Sequence, residues 1–166
     1  MKCIRVSELL SVDSLLIECI RIWIKYMVYD RNPLPILEKM LHTYGIKENV
    51  ILFDEFMGCI ALSSVKKYDF KITNCKFVGD SEKDILSLFY NFQNNNLKRA
   101  SYYISELINK NFHEYAFKRS KIISKKLLQS GLFLENPMSY PQKYNNNNLI
   151  IIDFKNRHHY FINYQS

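Results

Sequence analysis

The sequence predicts a mainly α fold, with about six helices in an orthogonal bundle or a short helical-hairpin array and a possible β-hairpin extension at the C-terminus. Apolar residues recur at helical spacing along much of the chain. Only 4 Gly and 4 Pro are present, and these are too few to supply the turns and bulges of a sandwich or a barrel. A chain of 166 residues is long enough to bury one ordinary hydrophobic core.

The helices are predicted from apolar faces and from residues that favour helix ends. Asp13 is expected to cap the first helix, and Asn32 with Pro33 to begin the second. Gly45 and Gly131 are expected to end the second and the sixth helices. The predicted helices span residues 14–29, 33–44, 47–65, 81–93, 97–109 and 111–130.

The first predicted helix is apolar around most of its circumference, which is typical of a helix at the centre of a core. Trp23 lies in this helix, so we expect its indole to be buried. Farther along, residues 68–73 alternate between polar and apolar side chains, which predicts a short strand or an extended connector that Gly79 ends.

The tail of the chain has a different character, because Asn and Pro signals interrupt it from residue 136 onward. We therefore divide the chain into a helical domain, residues 1–134, and a C-terminal extension, residues 135–166. Residues 149–154 and 158–164 are predicted to form two strands of a hairpin. A lone hairpin is marginally stable in water, so we expect it to dock or to pair with another chain.

The cysteines, Cys3, Cys19, Cys59 and Cys75, are widely spaced and form no CxxC pair. This spacing does not match the zinc and redox templates. We expect reduced, largely buried thiols in a cytoplasmic protein, with no bound metal and no cofactor. We expect no secretory signal and no transmembrane segment, since the most apolar stretch, residues 15–28, carries three charges.

Nearly all of the net charge of +7 lies in one stretch of the chain. Residues 1–97 carry twelve basic and twelve acidic residues, whereas residues 98–126 carry eight basic residues against two acidic ones. A neutral body with one basic region indicates an acidic partner. Lys outnumbers Arg 17 to 6, so a solvated face in a lysine-rich protein is the simplest alternative.

The sixth helix is the best candidate for a partner-binding surface. Its apolar residues fall on one side of a helical wheel and its basic residues on the other, with Tyr115 among them. Lysines would attract an acidic or phosphate-rich partner, and the tyrosine ring could stack on a base. The candidate partner-binding residues are Lys118, Arg119, Lys121, Lys125, Lys126, Tyr115, Lys98 and Arg99.

Carboxylates that could act in catalysis have a structural explanation in the sequence. Asp80, Glu82 and Asp84 crowd a predicted helix start, where the helix dipole favours negative charge. Asp54 and Glu55 form the other acidic pair, and no nucleophile motif or phosphate-binding loop accompanies either group. We assign no catalytic residue.

A loose pattern covers residues 53–134: a helix that ends near Val65, an extended link with Cys75, the acidic helix start Asp80-Ser81-Glu82, and a helical hairpin that closes at Gly131-Leu132. On these features the chain resembles a set of small helical proteins of alphaproteobacteria. The resemblance implies an all-helical bacterial protein and no particular activity.

Three functional hypotheses remain open at this point. The leading hypothesis is a non-enzymatic interaction protein that binds an acidic protein or assembly through the basic helix face. The alternative is a nucleic-acid-binding protein that uses residues 98–126. An enzyme with carboxylates drawn from distant parts of the chain would require a deep pocket that contains Asp54, Glu55 or His42.

Overall fold

The computed structural model describes residues 2–63, 65–139, 143–144, 149–153 and 158–162, with side chains described for residues 4–63 and 65–139. Within these residues the protein is mainly α, and its six α-helices pack around one core, which confirms the predicted class. The helices are α1 Ser11–Val28, α2 Leu34–Thr43, α3 Asn49–Leu62, α4 Asp80–Gln93, α5 Leu97–Leu107 and α6 His113–Gln129.

Short strands form two small sheets beside the helices. The strands are β1 Lys2–Cys3, β2 Tyr68–Lys71, β3 Lys143–Tyr144, β4 Leu149–Asp153 and β5 His158–Ile162. Strand β4 lies between β2 and β5 and is antiparallel to both, with Phe70 opposite Ile150 and Ile150 opposite Phe161. Strands β1 and β3 form a separate antiparallel pair. The C-terminal hairpin thus pairs with the strand that follows α3.

Helix α1 begins three residues earlier than the sequence predicts, so the prediction that Asp13 caps it is wrong. Leu10 occupies the N-cap position without a side-chain cap, and Asp13 lies inside the first turn with its side chain fully buried. Its carboxylate Oδ2 lies 3.5 Å from the backbone N of Glu135. Asp13 therefore faces the segment that follows α6 instead of capping α1. None of the described helices is long and apolar enough to cross a membrane.

The other helix ends follow local chemistry more closely. Gly45 and Gly131 adopt positive φ angles of 71° and 73° after α2 and α6, as expected for left-handed C′ positions. Helix α3 ends at Leu62, three residues before the predicted end. The backbone N of Asn109 donates to the carbonyl oxygen of Ser63 at 3.0 Å. The C-cap residue of α3 is thus bonded to the segment that follows α5.

Helix α4 is capped by a carboxylate from strand β2. The Asp69 carboxylate accepts hydrogen bonds from the backbone N of Asp80 at 2.9 Å and of Ser81 at 2.8 Å. The Glu82 carboxylate accepts from the backbone N of Gly79 at 2.8 Å, which is half of a capping box. A Cβ at Gly79 would collide with the Asp69 carbonyl oxygen, so this close approach of strand and helix requires glycine.

Burial confirms the central position of α1. Trp23 is 2% exposed, and its Nε1 donates to the Asp54 carboxylate at 2.7 Å. Helix α3 supplies the opposing apolar surface through Phe53, Phe56 and Met57, which are all almost fully buried. The ring of Phe56 contacts that of Phe89 on α4, with centroids 5.3 Å apart.

The thiols of Cys19 and Cys59 are expected to resist alkylation in the folded protein. Both are buried. Burial, with a further contribution from Glu18, raises the pKa of Cys19 to about 12. Burial and the neighbouring Glu55 also raise the pKa of Cys59. Because the thiolate is the reactive form, iodoacetamide at neutral pH should label neither residue until denaturant is added, as peptide mass mapping would show. Fast labelling of Cys19 in the native protein would contradict this expectation.

Candidate interaction surface on helices α5 and α6

Helices α5 and α6 form a hairpin whose ends are set by asparagine side chains. Asn96 Oδ1 accepts a hydrogen bond from the backbone N of Arg99 at 3.3 Å and so caps α5. Asn109 Oδ1 accepts from the backbone N of Asn111 at 3.1 Å in the short turn between the helices. His113 begins α6, and its Nε2 lies 2.7 Å from the Ile108 carbonyl oxygen. These bonds fix how the two helices lie beside each other.

A surface groove of about 410 Å³ runs between the two helices. We call it the α5–α6 groove. Its apolar part is formed by Phe117, with Ile104, only 2% exposed, beneath it. The Phe117 ring packs edge-on against Phe92 of α4 with centroids 4.8 Å apart. Two lysines, Lys118 and Lys121, line it as well. The residues that line the groove are Ser101, Ile104, His113, Glu114, Phe117, Lys118 and Lys121.

The basic residues of α6 occupy two rows rather than the single face that the helical wheel suggests. We call Lys118, Lys121 and Lys125 the basic row. All three are exposed, and the first two border the α5–α6 groove. In the other row, the Arg119 Nε lies 2.7 Å from the Glu55 carboxylate of α3. Of the basic residues of α6, Lys118 and Lys121 are those that line the groove.

Arg119 and Tyr115 are held together on the side of α6 that faces α3. The Arg119 guanidinium carbon lies 4.6 Å from the centre of the Tyr115 ring, within the range of a cation–π contact. Its Nη2 also donates to the Tyr115 hydroxyl at 3.1 Å. The Tyr115 ring is therefore already covered in part by an arginine. Lys126, two helical turns after Arg119 in the same row, is half-buried.

Lys118 forms an exposed ion pair with Glu114, one turn away, at 2.6 Å. The hydrogen bond from Lys118 lowers the pKa of the Glu114 carboxyl. Fully exposed pairs at this spacing contribute little to stability, because solvent screens both charges. In the part of the chain whose side chains are described, Lys121 and Lys125 form no ion pair. The basic row thus carries positive charge that the described carboxylates neutralise only at Lys118.

The start of α5 carries a second basic group that includes an aromatic ring. Lys98 and Arg99 line a shallow pocket of about 260 Å³ with Asn96 and Tyr102. Tyr102 is 56% exposed, and its ring contacts Tyr103 with centroids 5.4 Å apart. Sequence reasoning missed Tyr102, although its position one helical turn after Lys98 was a usable signal. The periodicity correctly assigned Ile104 to the core and Phe117 to the face that packs against it, but it gave no sign that the two residues also line a groove.

Among the described residues, every carboxylate considered for catalysis except that of Asp80 has a bonded structural partner. Asp54 accepts from Trp23, Glu55 pairs with Arg119, and Glu82 pairs with Arg21. Asp84 pairs with Lys66 at 3.0 Å; burial raises its pKa, and the lysine opposes that effect. Asp80 stands at the α4 N-terminus, where burial and the nearby Asp69 raise its pKa.

Asp54, Glu55, Glu82 and Asp84 are therefore engaged in contacts between elements of the bundle, whereas the groove and the basic row face outward. Comparisons with family models, curated proteins and solved structures gave no match to this chain.

Proposed function

We propose that the protein is a non-enzymatic interaction protein whose α5–α6 groove binds an acidic, amphipathic segment of another protein. The observation that carries this proposal is the combination of Ile104 and Phe117 with the neighbouring Lys118 and Lys121 in one groove. An apolar groove bordered by cations suits a partner helix that presents apolar anchors flanked by Asp or Glu.

The two components of the groove would contribute differently to binding. Burial of apolar surface stabilises a complex by about 25 cal/mol per Å² before the cost of association is subtracted. The lysines would add attraction at long range and would fix the orientation of the partner. Because the pair between Glu114 and Lys118 is exposed, a partner carboxylate could take the place of Glu114 at little cost.

The buried thiols of Cys19 and Cys59 support a cytoplasmic site of action for this binding. Reduced cysteines persist in compartments that glutathione and thioredoxin keep reducing.

Nucleic-acid binding is the second candidate, and the exposed ring of Tyr102 beside Lys98 and Arg99 favours it. An exposed aromatic ring between cations can stack on an unpaired base while the cations contact phosphates. In this alternative the binding surface would consist of the start of α5 and the basic row of α6. The apolar part of the α5–α6 groove would contribute nothing.

Two variants of the groove separate these candidates. Replacing Ser101, an exposed residue of the groove, with tryptophan should block the groove without changing its charge. Replacing Lys118, Lys121 and Lys125 with glutamine removes three charges from the basic row. The matched control replaces Lys39, Lys47 and Lys76 with glutamine, since all three are exposed and lie elsewhere.

Fluorescence anisotropy would measure binding of two probes, a helical peptide with leucine anchors flanked by glutamates and a mixed-sequence single-stranded RNA. We expect peptide binding that both groove variants weaken at least about tenfold, a change of roughly 1.4 kcal/mol, and that the control leaves unchanged. RNA binding that survives Ser101→Trp, is lost in Tyr102→Ala, and whose log–log salt slope falls by roughly 2–3 in the lysine triple variant would favour the second candidate. Failure of both probes to bind would indicate a merely solvated face.

A further inference from the structure

A second cavity shares no lining residue with the α5–α6 groove. It has a volume of about 170 Å³ and sits between the C-terminal half of α1 and the end of β2. We call it the α1–β2 pocket. Its lining residues are Arg21, Lys25, Val28, Tyr29, Lys71, Ile72 and Thr73.

The unusual feature of this pocket is Lys71. Its side chain is only 5% exposed, and its backbone N, not its ammonium, donates to Glu82 Oε1 at 3.0 Å. Among the described residues no carboxylate forms an ion pair with the Lys71 ammonium. Lysine is seldom this buried unless it is paired with an opposite charge. Lys71 also lines the α1–β2 pocket, so a ligand bound there could supply the opposite charge.

The neighbouring carboxylate cannot supply that counter-charge through a hydrogen bond. Glu82 already accepts four hydrogen bonds: from Arg21 Nε at 2.8 Å, Arg21 Nη2 at 2.9 Å, Lys71 N at 3.0 Å and Gly79 N at 2.8 Å. Four bonds fill the acceptor sites of a carboxylate. Asp80 interacts with Lys71 only at longer range, since no ion pair joins them.

The charge of the pocket indicates what it would accept. Its wall holds three cations, Arg21, Lys25 and Lys71, and Glu82 behind Arg21 offsets one of them, which leaves a net charge of +2. The Thr73 and Tyr29 hydroxyls lie in the same lining and can donate hydrogen bonds. Val28 and Ile72 add an apolar side. A volume of 170 Å³ is well below the roughly 300–1,000 Å³ of pockets for drug-sized molecules.

We propose that the α1–β2 pocket binds the phosphate group of a small phosphorylated metabolite, with Lys71 and Lys25 as the cations that contact it. A phosphate monoester carries close to two negative charges at neutral pH, which matches the net charge of the wall, and lysine serves as a point-charge ligand for phosphate. The short carbon part of the molecule would lie against Val28 and Ile72. This site is independent of the α5–α6 groove.

Calorimetry and thermal unfolding at constant ionic strength would test the site with inorganic phosphate, phenyl phosphate and, as a singly charged comparison, acetate. We expect saturable binding of the two phosphates and a rise in melting temperature that grows with their concentration, as ligand linkage requires. Lys71→Met and Lys25→Gln should each weaken binding by at least about tenfold. Without ligand, Lys71→Met should melt no lower than the wild type, because it removes a buried charge.

Lys76→Met is the matched control, since Lys76 is exposed and does not line the pocket. Phosphate also stabilises proteins non-specifically by exclusion from their surface, and that effect would appear equally in every variant. No saturable binding of either phosphate, equal weakening by Lys76→Met, or acetate binding as tight as phosphate binding would each overturn the proposal. If Lys71→Met does not fold, Lys25→Gln decides the matter, because Lys25 is exposed and its replacement leaves the core intact.

Discussion

Replacement of Glu82 with alanine is expected to lower the free energy of unfolding by about 3–5 kcal/mol, the usual effect of removing one member of a buried ion pair. Glu82 is fully buried and Arg21 is 3% exposed. Among the described residues, the guanidinium would retain only the carbonyl oxygens of Cys75 and Phe77, at 2.7 and 2.6 Å. The backbone N–H groups of Lys71 and Gly79 would lose their acceptor as well.

Urea unfolding followed by circular dichroism would measure this loss. Asp84→Ala is the matched control on the same helix, because its ion pair with Lys66 is partly exposed and should contribute no more than about 1 kcal/mol. The double variant Arg21→Met/Glu82→Leu should recover part of the stability, since it leaves no uncompensated charge. A loss in Glu82→Ala no larger than that in Asp84→Ala would show that this buried ion pair is not a major stabilising contact.

Trp23→Ala is expected to cost about 3–5 kcal/mol, the range found when a large aromatic side chain is deleted from a core. The indole is 2% exposed, and its Nε1 donates to Asp54 at 2.7 Å. The substitution would open a cavity at the centre of α1 and would leave the Asp54 carboxylate without this donor. Denaturant unfolding would measure the loss.

Trp23→Phe separates the two contributions, because it keeps most of the packing and removes the hydrogen bond. We expect it to cost less than the alanine variant by at least about 1 kcal/mol. Trp23 is the only tryptophan of the chain, so native fluorescence reports on it alone. An emission maximum like that of an indole in water would contradict its burial.

The helices could be predicted from the sequence because the signals for them are local. Apolar spacing placed six helices, and Gly45 and Gly131 marked two of their ends. Asp13 failed as a predicted cap because α1 begins two residues before it, at Ser11, and its buried carboxylate faces residue 135, far along the chain. The same limit explains why the ion pair between Arg21 and Glu82 could not be predicted: 61 residues separate them, and each looks like an ordinary surface charge in its own helix.

The candidate surface was predictable in charge but not in shape. The excess of basic residues at positions 98–126 is visible in the sequence, but Arg119 turns toward Glu55 of α3 only because those two helices pack together. The groove depends on how far α5 and α6 stand apart at Ile104 and Phe117. The burial of Lys71 could not be predicted, because the alternation places it on the strand face opposite Phe70, which the sequence assigns to solvent.

The order of strands in the larger sheet has a consequence for biosynthesis. Phe70 pairs with Ile150, so the partner of β2 is made about 80 residues later. At synthesis rates of about 5–20 residues per second, this delay amounts to roughly 4–16 s. During that interval the hydrogen-bonding edge of β2 that β4 later occupies is open on the nascent chain, while α4 to α6 are being made. Ribosome-bound chains that stop before β4 should therefore be the form of this protein most dependent on chaperones.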